Sequence, residues 1–188
     1  NNFTFMMGYY AANTIVNIKG LDITGASYAN YIASYSSTIT DVTISGVTIG
    51  NSGSLRAMTP MSSNIQNITL DNFTIGTDVE ISGMKSPALT NFSGDVFTAN
   101  AVASVNRGFI GSTLLDLDIS DWNVSALTDC TYLMYGTSFS TVNYDKMLIA
   151  WQAKPHMPNG PFHAGTAKYS PGAPSAAKAS LEADGWTF

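Results

Sequence analysis

The sequence predicts a β-rich solenoid of coils about 25 residues long, with parallel strands and a small α-helical cap at its C-terminal end. The first observation is a recurring template, apolar-x-x-apolar-x-apolar-x-x-apolar-x-apolar, with starts 24, 26, 24 and 25 residues apart. The second is strand-like alternation within each copy, and the third is a change to helical spacing after residue 143. A fixed period of this length is typical of repeat architectures. The copies begin at Ile15, Ile39, Ile65, Leu89 and Leu114.

Each copy predicts two short strands. In "DVTIS" (41–45), Val42 and Ile44 alternate with polar neighbours, and "VTI" (47–49) repeats the alternation after a two-residue corner. Stacked coils place equivalent side chains about 4.8 Å apart, so each apolar column becomes part of one core. For the 14–16 residues after the second strand we expect irregular or single-turn helical segments on the opposite face, as in leucine-rich repeats.

The same register divides the chain into a repeat region over 1–142 and a cap over 143–188. Phe3 and Phe5 match the second strand of a partial coil before residue 15, so we expect a fragment of a longer array. In the cap, an apolar stripe predicts a helix from Asn143, with Asp145 in its first turn. A second helix is predicted after Ser170 as N-cap, ending before Gly185. The stripe comprises Tyr144, Met147, Leu148 and Trp151, and we expect Trp151 and Trp186 to be core residues.

Composition excludes several classes of protein. Only 11% of the residues are charged and the net charge is -5, with scattered Lys and Arg, so no basic stripe indicates nucleic-acid binding. No apolar run reaches ~20 residues, so membrane insertion is not expected. Cys130 is the single cysteine, which excludes a disulfide framework and a Cys metal cluster. Its apolar neighbours predict a buried thiol.

Outward columns of the predicted strands are the candidate ligand-binding residues. Threonine recurs there, and two interpretations stay open: β-branched residues favour strands and stacked Thr pairs stabilise sheets, or the columns form a flat recognition face. Tyrosines of the early loops either fill the core or contact a ligand. The candidates are Thr43, Thr69, Ser93 and Asp118 in one column, Thr48, Thr74 and Thr98 in a second, Asp71 and Asp95 at an edge, and Tyr28, Tyr31 and Tyr35 in the loops.

Catalysis and metal binding have one candidate cluster. Asp116 and Asp118 share a face of one predicted strand, with Asp95 on the preceding coil. Paired carboxylates serve as acid and base in glycosidases, and three oxygen ligands suit calcium. Both histidines, His156 and His163, lie in the cap region, away from these carboxylates. We therefore expect no catalytic residues and no cofactor, with calcium as the alternative.

The fifth copy and the tail resemble one known family. The stretch "LDLDISDWNVSALTDCTYLMYGTSF" is similar to the short repeats of BspA-like leucine-rich-repeat surface proteins of bacteria, and "YDKMLIAWQAK" with "FHAGTAKYSPGAPSAAKASLEADGWTF" resembles the cap of such arrays. The resemblance covers Leu114 to Phe188, whereas the earlier copies share only the apolar skeleton. Cys130 stands where the pattern usually has Met.

The resemblance and the low charge together favour a non-enzymatic adhesion or receptor-binding domain. We expect it to recognise a cell-surface glycan or protein, from an extracellular location on a cell surface or at the tip of a phage-like particle. A fibre parent would make it a homotrimer. Two alternatives remain: a polysaccharide-acting enzyme of solenoid fold, and an ice- or crystal-surface binder that uses the Thr columns.

Overall fold

The computed structural model describes residues 2–4, 15–24, 28–30, 37–56, 59 and 63–188. Within these ranges the protein is mixed α/β, with short parallel strands in small sheets followed by helices near the C-terminus. The strands are β1 (Asn2–Thr4), β2 (Ile15–Lys19), β3 (Asp22–Ile23), β4 (Tyr28–Asn30), β5 (Asp41–Ser45), β6 (Thr48–Ile49), β7 (Ser54–Arg56), β8 (Asn67–Asp71), β9 (Thr74–Ile75), β10 (Glu80–Ile81) and β11 (Asn91–Ser93). The helices are α1 (Val96–Ala99), α2 (Thr141–Ala153) and α3 (Ala173–Ala183).

Three sheets contain these strands, and every pairing is parallel. The first sheet has the order β11-β8-β5-β2, the second β3-β6-β9 and the third β1-β4-β7-β10. In the first sheet Val42 pairs with Ile68, and Ile68 pairs with Phe92. Strands of the same type from successive repeats are therefore neighbours, as the sequence predicts for 41–45, 48–49, 67–71 and 74–75.

The core lies behind the first sheet and between the sheets. Val42, Ile44, Ile68 and Leu70 are at most 1% exposed, while the residues between them along β5 and β8 are half-buried. This alternation confirms the period-2 interpretation of both segments, because side chains of a strand point to opposite faces in turn. The core of the described residues continues through Phe92, Phe97, Phe109 and Trp122 into the C-terminal helices.

The predicted register of the first repeat is wrong by two residues. Val16 pairs with Val42, whereas the template aligns Ile18 with that position, and Ile15 is 56% exposed. The corner glycines determine the true register. Gly20 and Gly46 have φ values of 67° and 63°, a region that glycine enters without a Cβ clash, and they occupy the same place after β2 and β5. The template instead puts Gly20 at an apolar position.

The segments after the second strands are not irregular or helical as predicted, because they contain the third sheet. Leu55 of β7 pairs with Ile81 of β10, and both side chains are fully buried. Each of these short strands supplies one apolar residue to the core, which explains why they form despite their polar surroundings. Phe3 pairs with Ala29 in this sheet, so it is not the second-strand residue that the sequence predicts.

The last two repeats depart from the predicted strands. Residues 96–99 form α1, in which the N–H groups of Thr98 and Ala99 both donate to the carbonyl of Asp95. Residues 114–124 form no strand, and Leu114 is 58% exposed where the template buries it. Single backbone hydrogen bonds connect this segment to its neighbours, such as Asn123 N to the Phe97 carbonyl at 2.7 Å. Stacking of Phe97 on Trp122, with ring centroids 4.2 Å apart, fills the core beside them.

Both cap helices exist, but each begins at a different residue from the one predicted. Helix α2 starts two positions early because Ser140 is its N-cap and accepts from Asn143 N at 3.2 Å. Asp145 therefore lies beyond the first turn and accepts from Ser170 N at 2.8 Å. That bond holds Ser170 outside α3, whose N-cap is Gly172.

The apolar stripe of α2 is buried as predicted, and Trp151 and Trp186 are 0% and 2% exposed. In the part of the chain that the structure describes, none of the helices has the length and apolar character that crossing a bilayer requires.

Candidate functional site

The predicted column of Thr43, Thr69 and Ser93 exists in the structure. Thr43 pairs with Thr69, and Thr69 pairs with Ser93, on the outer side of the first sheet. The hydroxyl oxygens of Thr69 and Ser93 are 3.0 Å apart and share a hydrogen bond. We call these three residues the hydroxyl column. In the first repeat Asn17, and not Lys19, continues it.

Polar contacts also connect neighbouring strands beside the hydroxyl column. Asn67 Nδ2 donates to Asp41 Oδ1 at 2.7 Å. Asn72 joins the two edge aspartates, since its Nδ2 donates to Asp71 at 3.1 Å and its backbone N donates to Asp95 at 2.9 Å. Asp71 and Asp95 are therefore close together, as the sequence predicts, and part of their hydrogen-bonding capacity is used within the protein.

The second predicted column is shorter than expected. Thr48 pairs with Thr74 in the second sheet, but Asp22 occupies the place before Thr48 that the template assigns to Thr24. Thr98 lies on α1, where its hydroxyl donates to the carbonyl of Asp95 at 3.2 Å. Thr98 thus does not continue a strand column, because the backbone turns into a helix before it.

Asp118 is not beside the hydroxyl column in any sheet, because its segment forms no strand. Its carboxylate accepts from Lys146 Nζ and from Ser120 N, at 2.9 and 3.0 Å. Burial opposes ionisation of Asp118, but these hydrogen bonds outweigh it and lower its pKa. Asp116 accepts from Ser140 N and Asn143 Nδ2 at the start of α2, both at 2.9 Å. The two aspartates attach α2 to the last repeat.

The calcium alternative finds no support among the described residues, which contain no group of three His, Cys, Asp or Glu side chains able to hold a metal ion. Cys130 is buried as predicted, and its Sγ donates to the carbonyl of Pro161 at 2.8 Å. Burial, with a further contribution from Asp129, raises the pKa of the thiol well above its usual range. A thiol in that state is a poor nucleophile.

The early tyrosines are only partly described. Tyr28 begins β4, and only its backbone belongs to the described structure. Tyr31 and Tyr35 lie outside the described residues.

A cleft of about 400 Å³ at the junction of the last repeat and the cap was missed by the sequence analysis. All four tyrosines whose side chains are described line it: Tyr132, Tyr135, Tyr144 and Tyr169. We call it the aromatic cleft. Tyr132 and Tyr135 meet edge to face, with centroids 5.6 Å apart, and Lys178 Nζ lies 5.0 Å from the ring centroid of Phe188. The "TYLMYG" stretch was a usable signal, since its two tyrosines are exposed.

A second cleft, of about 290 Å³, lies beside the third sheet. Its charged lining residues are Arg56, Glu80, Lys85 and Arg107, and we call it the basic cleft. Arg56 and Glu80 form an ion pair at 2.5 Å. The residues are 24 to 27 positions or fewer apart in the chain, and only the stacking of successive repeats brings them together.

Comparison with protein-family models, curated proteins and solved structures finds no match to this chain.

Proposed function

We propose that the protein is a non-enzymatic recognition domain that binds a glycan or protein of a cell surface. The observation that carries this proposal is the hydroxyl column. Three hydroxyl side chains stand in register on parallel strands, and the opposite faces of those strands are packed in the core. A rigid row of donors and acceptors suits an extended polymer that repeats its own polar groups.

The finer fold proposed here is a solenoid of leucine-rich-repeat type with a helical cap, similar to BspA-like surface proteins. Parallel pairing of β2, β5, β8 and β11 supports it, since each strand lies beside its equivalent 24 or 26 residues along the chain. The packing of α2 and α3 on the last repeat supports a cap role, because a terminal repeat needs its apolar end covered.

An enzymatic function has less support from the described residues. Asp116 and Asp118, the paired carboxylates of the enzyme hypothesis, are hydrogen-bonded to the start of α2 and to Lys146. Cys130 is a buried thiol. An ice-binding role would need a longer regular Thr face than the register of Thr48 and Thr74 supplies.

The proposed location is extracellular, on a cell surface or at the tip of a phage-like particle. Binding through small polar groups is weak for each copy. A trimeric or otherwise multivalent parent would raise the overall affinity, since linked sites act at a high effective concentration.

The test is binding of a multimerised protein to bacterial and animal cells and to a glycan array. A variant with Thr43→Lys, Thr69→Lys and Ser93→Lys places three long cations on the hydroxyl column and should lose binding. The matched control adds the same charge at exposed positions of the cap, with Gln152→Lys, Ala176→Lys and Ala179→Lys, and should bind like the parent. Equal binding by both variants would remove the site from the hydroxyl column, and release of sugar products would show an enzyme.

A further inference from the structure

The basic cleft and the aromatic cleft adjoin each other along one flank of the molecule. Arg107 lines the first and Tyr132 the second, and the guanidinium carbon of Arg107 lies 5.7 Å from the Tyr132 ring centroid. Parallel bridges run through the same flank, from Glu80 to Ser104 and from Ser104 to Asp129. We call the two clefts together the flank groove.

Charge in the flank groove is opposite to that of the whole protein. The protein has a net charge of -5 and eight Lys and Arg residues, and four of those eight line the groove: Arg56, Lys85, Arg107 and Lys178. Glu80 is the carboxylate in its lining, and it pairs with Arg56. No ion pair of the described residues includes Lys85 or Arg107. A cationic groove on an acidic protein favours an anionic ligand.

Aromatic rings in the same groove favour a sugar over an acidic peptide. Tyr135 and Tyr169 are 52% and 41% exposed, and each stands nearly perpendicular to a neighbouring ring, at 87° and 89°. Each ring offers an apolar face with a hydroxyl at its tip. A pyranose ring has the complementary surface, since its C–H face is apolar and its rim carries hydroxyl groups. Arginine adds a planar donor fork that matches a carboxylate.

Backbone strain marks the two residues where the clefts meet. Arg107 and Tyr132 have φ values of 53° and 57°, in the left-handed region that large side chains rarely adopt. Gly83, at the corresponding place one repeat earlier, has a φ of 75°. Glycine would satisfy this backbone without strain, so the side chains of Arg107 and Tyr132 are retained at a cost, as is frequent at functional sites.

We propose that the flank groove binds a polysaccharide containing uronic acid units, with carboxylates at Arg107 and Lys85 and sugar rings on Tyr135 and Tyr169. This inference rests on the proposed recognition function, and it adds a ligand class and a second surface to it.

The experiment measures binding of the purified protein to immobilised polygalacturonic acid. Three other polymers serve as comparisons: methyl-esterified polygalacturonic acid, which keeps the sugar ring without the charge; poly-L-glutamate, which keeps the carboxylate without the ring; and dextran sulfate. We expect binding to the free acid to exceed binding to the other three, and to weaken as salt rises, because exposed charges are screened within about 10 Å at 0.1 M.

Three variants assign the site. Arg107→Gln should weaken binding about tenfold through loss of charge-assisted contacts. Tyr135→Ala with Tyr169→Ala should weaken it by a similar factor. Lys146→Gln removes one charge from the exposed side of α2 and should leave binding unchanged. Circular dichroism melting of each variant checks that the fold persists.

The proposal is overturned if the parent binds none of the polymers, if another polymer binds as tightly as the free acid, or if Arg107→Gln binds like the parent. A variant with Thr43→Ala, Thr69→Ala and Ser93→Ala separates this failure from failure of the proposed function. Loss of polygalacturonate binding in that variant alone places recognition on the hydroxyl column and contradicts the flank groove. Loss in the groove variants alone supports the groove and contradicts the column.

Discussion

Trp151 Nε1 donates a 2.9 Å hydrogen bond to the carbonyl oxygen of Ile119, and both residues are fully buried. The bond joins α2 to a repeat segment that has no strand of its own. It satisfies a buried backbone carbonyl, which would be costly to leave unpaired. The last repeat and the cap are therefore held together by a directed contact as well as by apolar packing.

Replacing Trp151 with Phe is expected to lower the free energy of unfolding by about 1–3 kcal/mol, because the Ile119 carbonyl loses its donor, and the smaller ring adds a packing loss. Urea unfolding measures the change. The exposed neighbour Gln152 supplies the control, since Gln152→Ala should stay within about 0.5 kcal/mol of the parent. Equal stability of Trp151→Phe and the parent would show that this bond contributes nothing.

Burying a charge in the first sheet is expected to unfold the repeats. Ile68 is 1% exposed and pairs with Val42 and Phe92, so Ile68→Asp should cost more than about 4 kcal/mol. Its neighbour Thr69 points to the opposite face, and Thr69→Asp should cost less than about 1 kcal/mol. Thermal melting compares the two variants. Similar melting temperatures would mean that the register of this sheet is incorrect.

The left-handed backbone at Arg107 predicts an unusual order of stabilities. Arg107→Ala should be less stable than Arg107→Gly by about 1 kcal/mol, since only the alanine keeps a Cβ in that conformation. Lys168 is exposed and is not among the positive-φ residues, so glycine should be the less stable substitution there. Urea unfolding of the four variants provides the measurement. Alanine equal to or better than glycine at position 107 would contradict the strain.

Asp129 is expected to contribute to stability above acidic pH. Burial opposes its ionisation, but hydrogen bonds from Thr131 N and Asn106 Nδ2, at 3.0 and 2.9 Å, outweigh burial and lower its pKa. A pKa lower in the folded than in the unfolded state stabilises the fold above the unfolded value of about 3.9, and this contribution is lost as pH falls through the folded value.

Asp129→Asn should therefore reduce the difference in unfolding free energy between about pH 6 and pH 2. Asn106→Ala should reduce it by less, because the Thr131 N–H remains. Chemical denaturation across this pH range tests both variants. An unchanged pH dependence in Asp129→Asn would show that the carboxylate has no preferential stabilisation in the folded state.

Cys130 should react slowly with thiol reagents in the folded protein. Its thiol is buried and its pKa is raised, so the reactive thiolate is scarce at about pH 8. Reaction with an aromatic disulfide reagent should be at least about a hundredfold faster in urea, where the thiol has its ordinary pKa of about 8.5. Rapid labelling without denaturant would indicate that the contact of α2 and the following segment with the last repeat opens readily.

The central strands could be predicted because one face of each is apolar and the alternation is uninterrupted. This is true of Val42 and Ile44, and it places Thr43 and Thr69 in one outward column. The first repeat could not be placed by the same template, since Ile15, Val16 and Ile18 offer two apolar alignments and only the backbone at Gly20 selects one. The third sheet was missed because strands of two or three residues carry too little pattern to be distinguished from loops.

The sequence by itself determined the repeat period, the inward apolar columns and the helical cap, because burial imposes a local pattern on residues a few positions apart. Only the tertiary structure decided where binding groups meet. Glu80, Arg107 and Tyr132 belong to successive repeats, and no local pattern joins them. Stacking of the repeats places them along one groove, because parallel pairing sets equivalent backbone positions side by side.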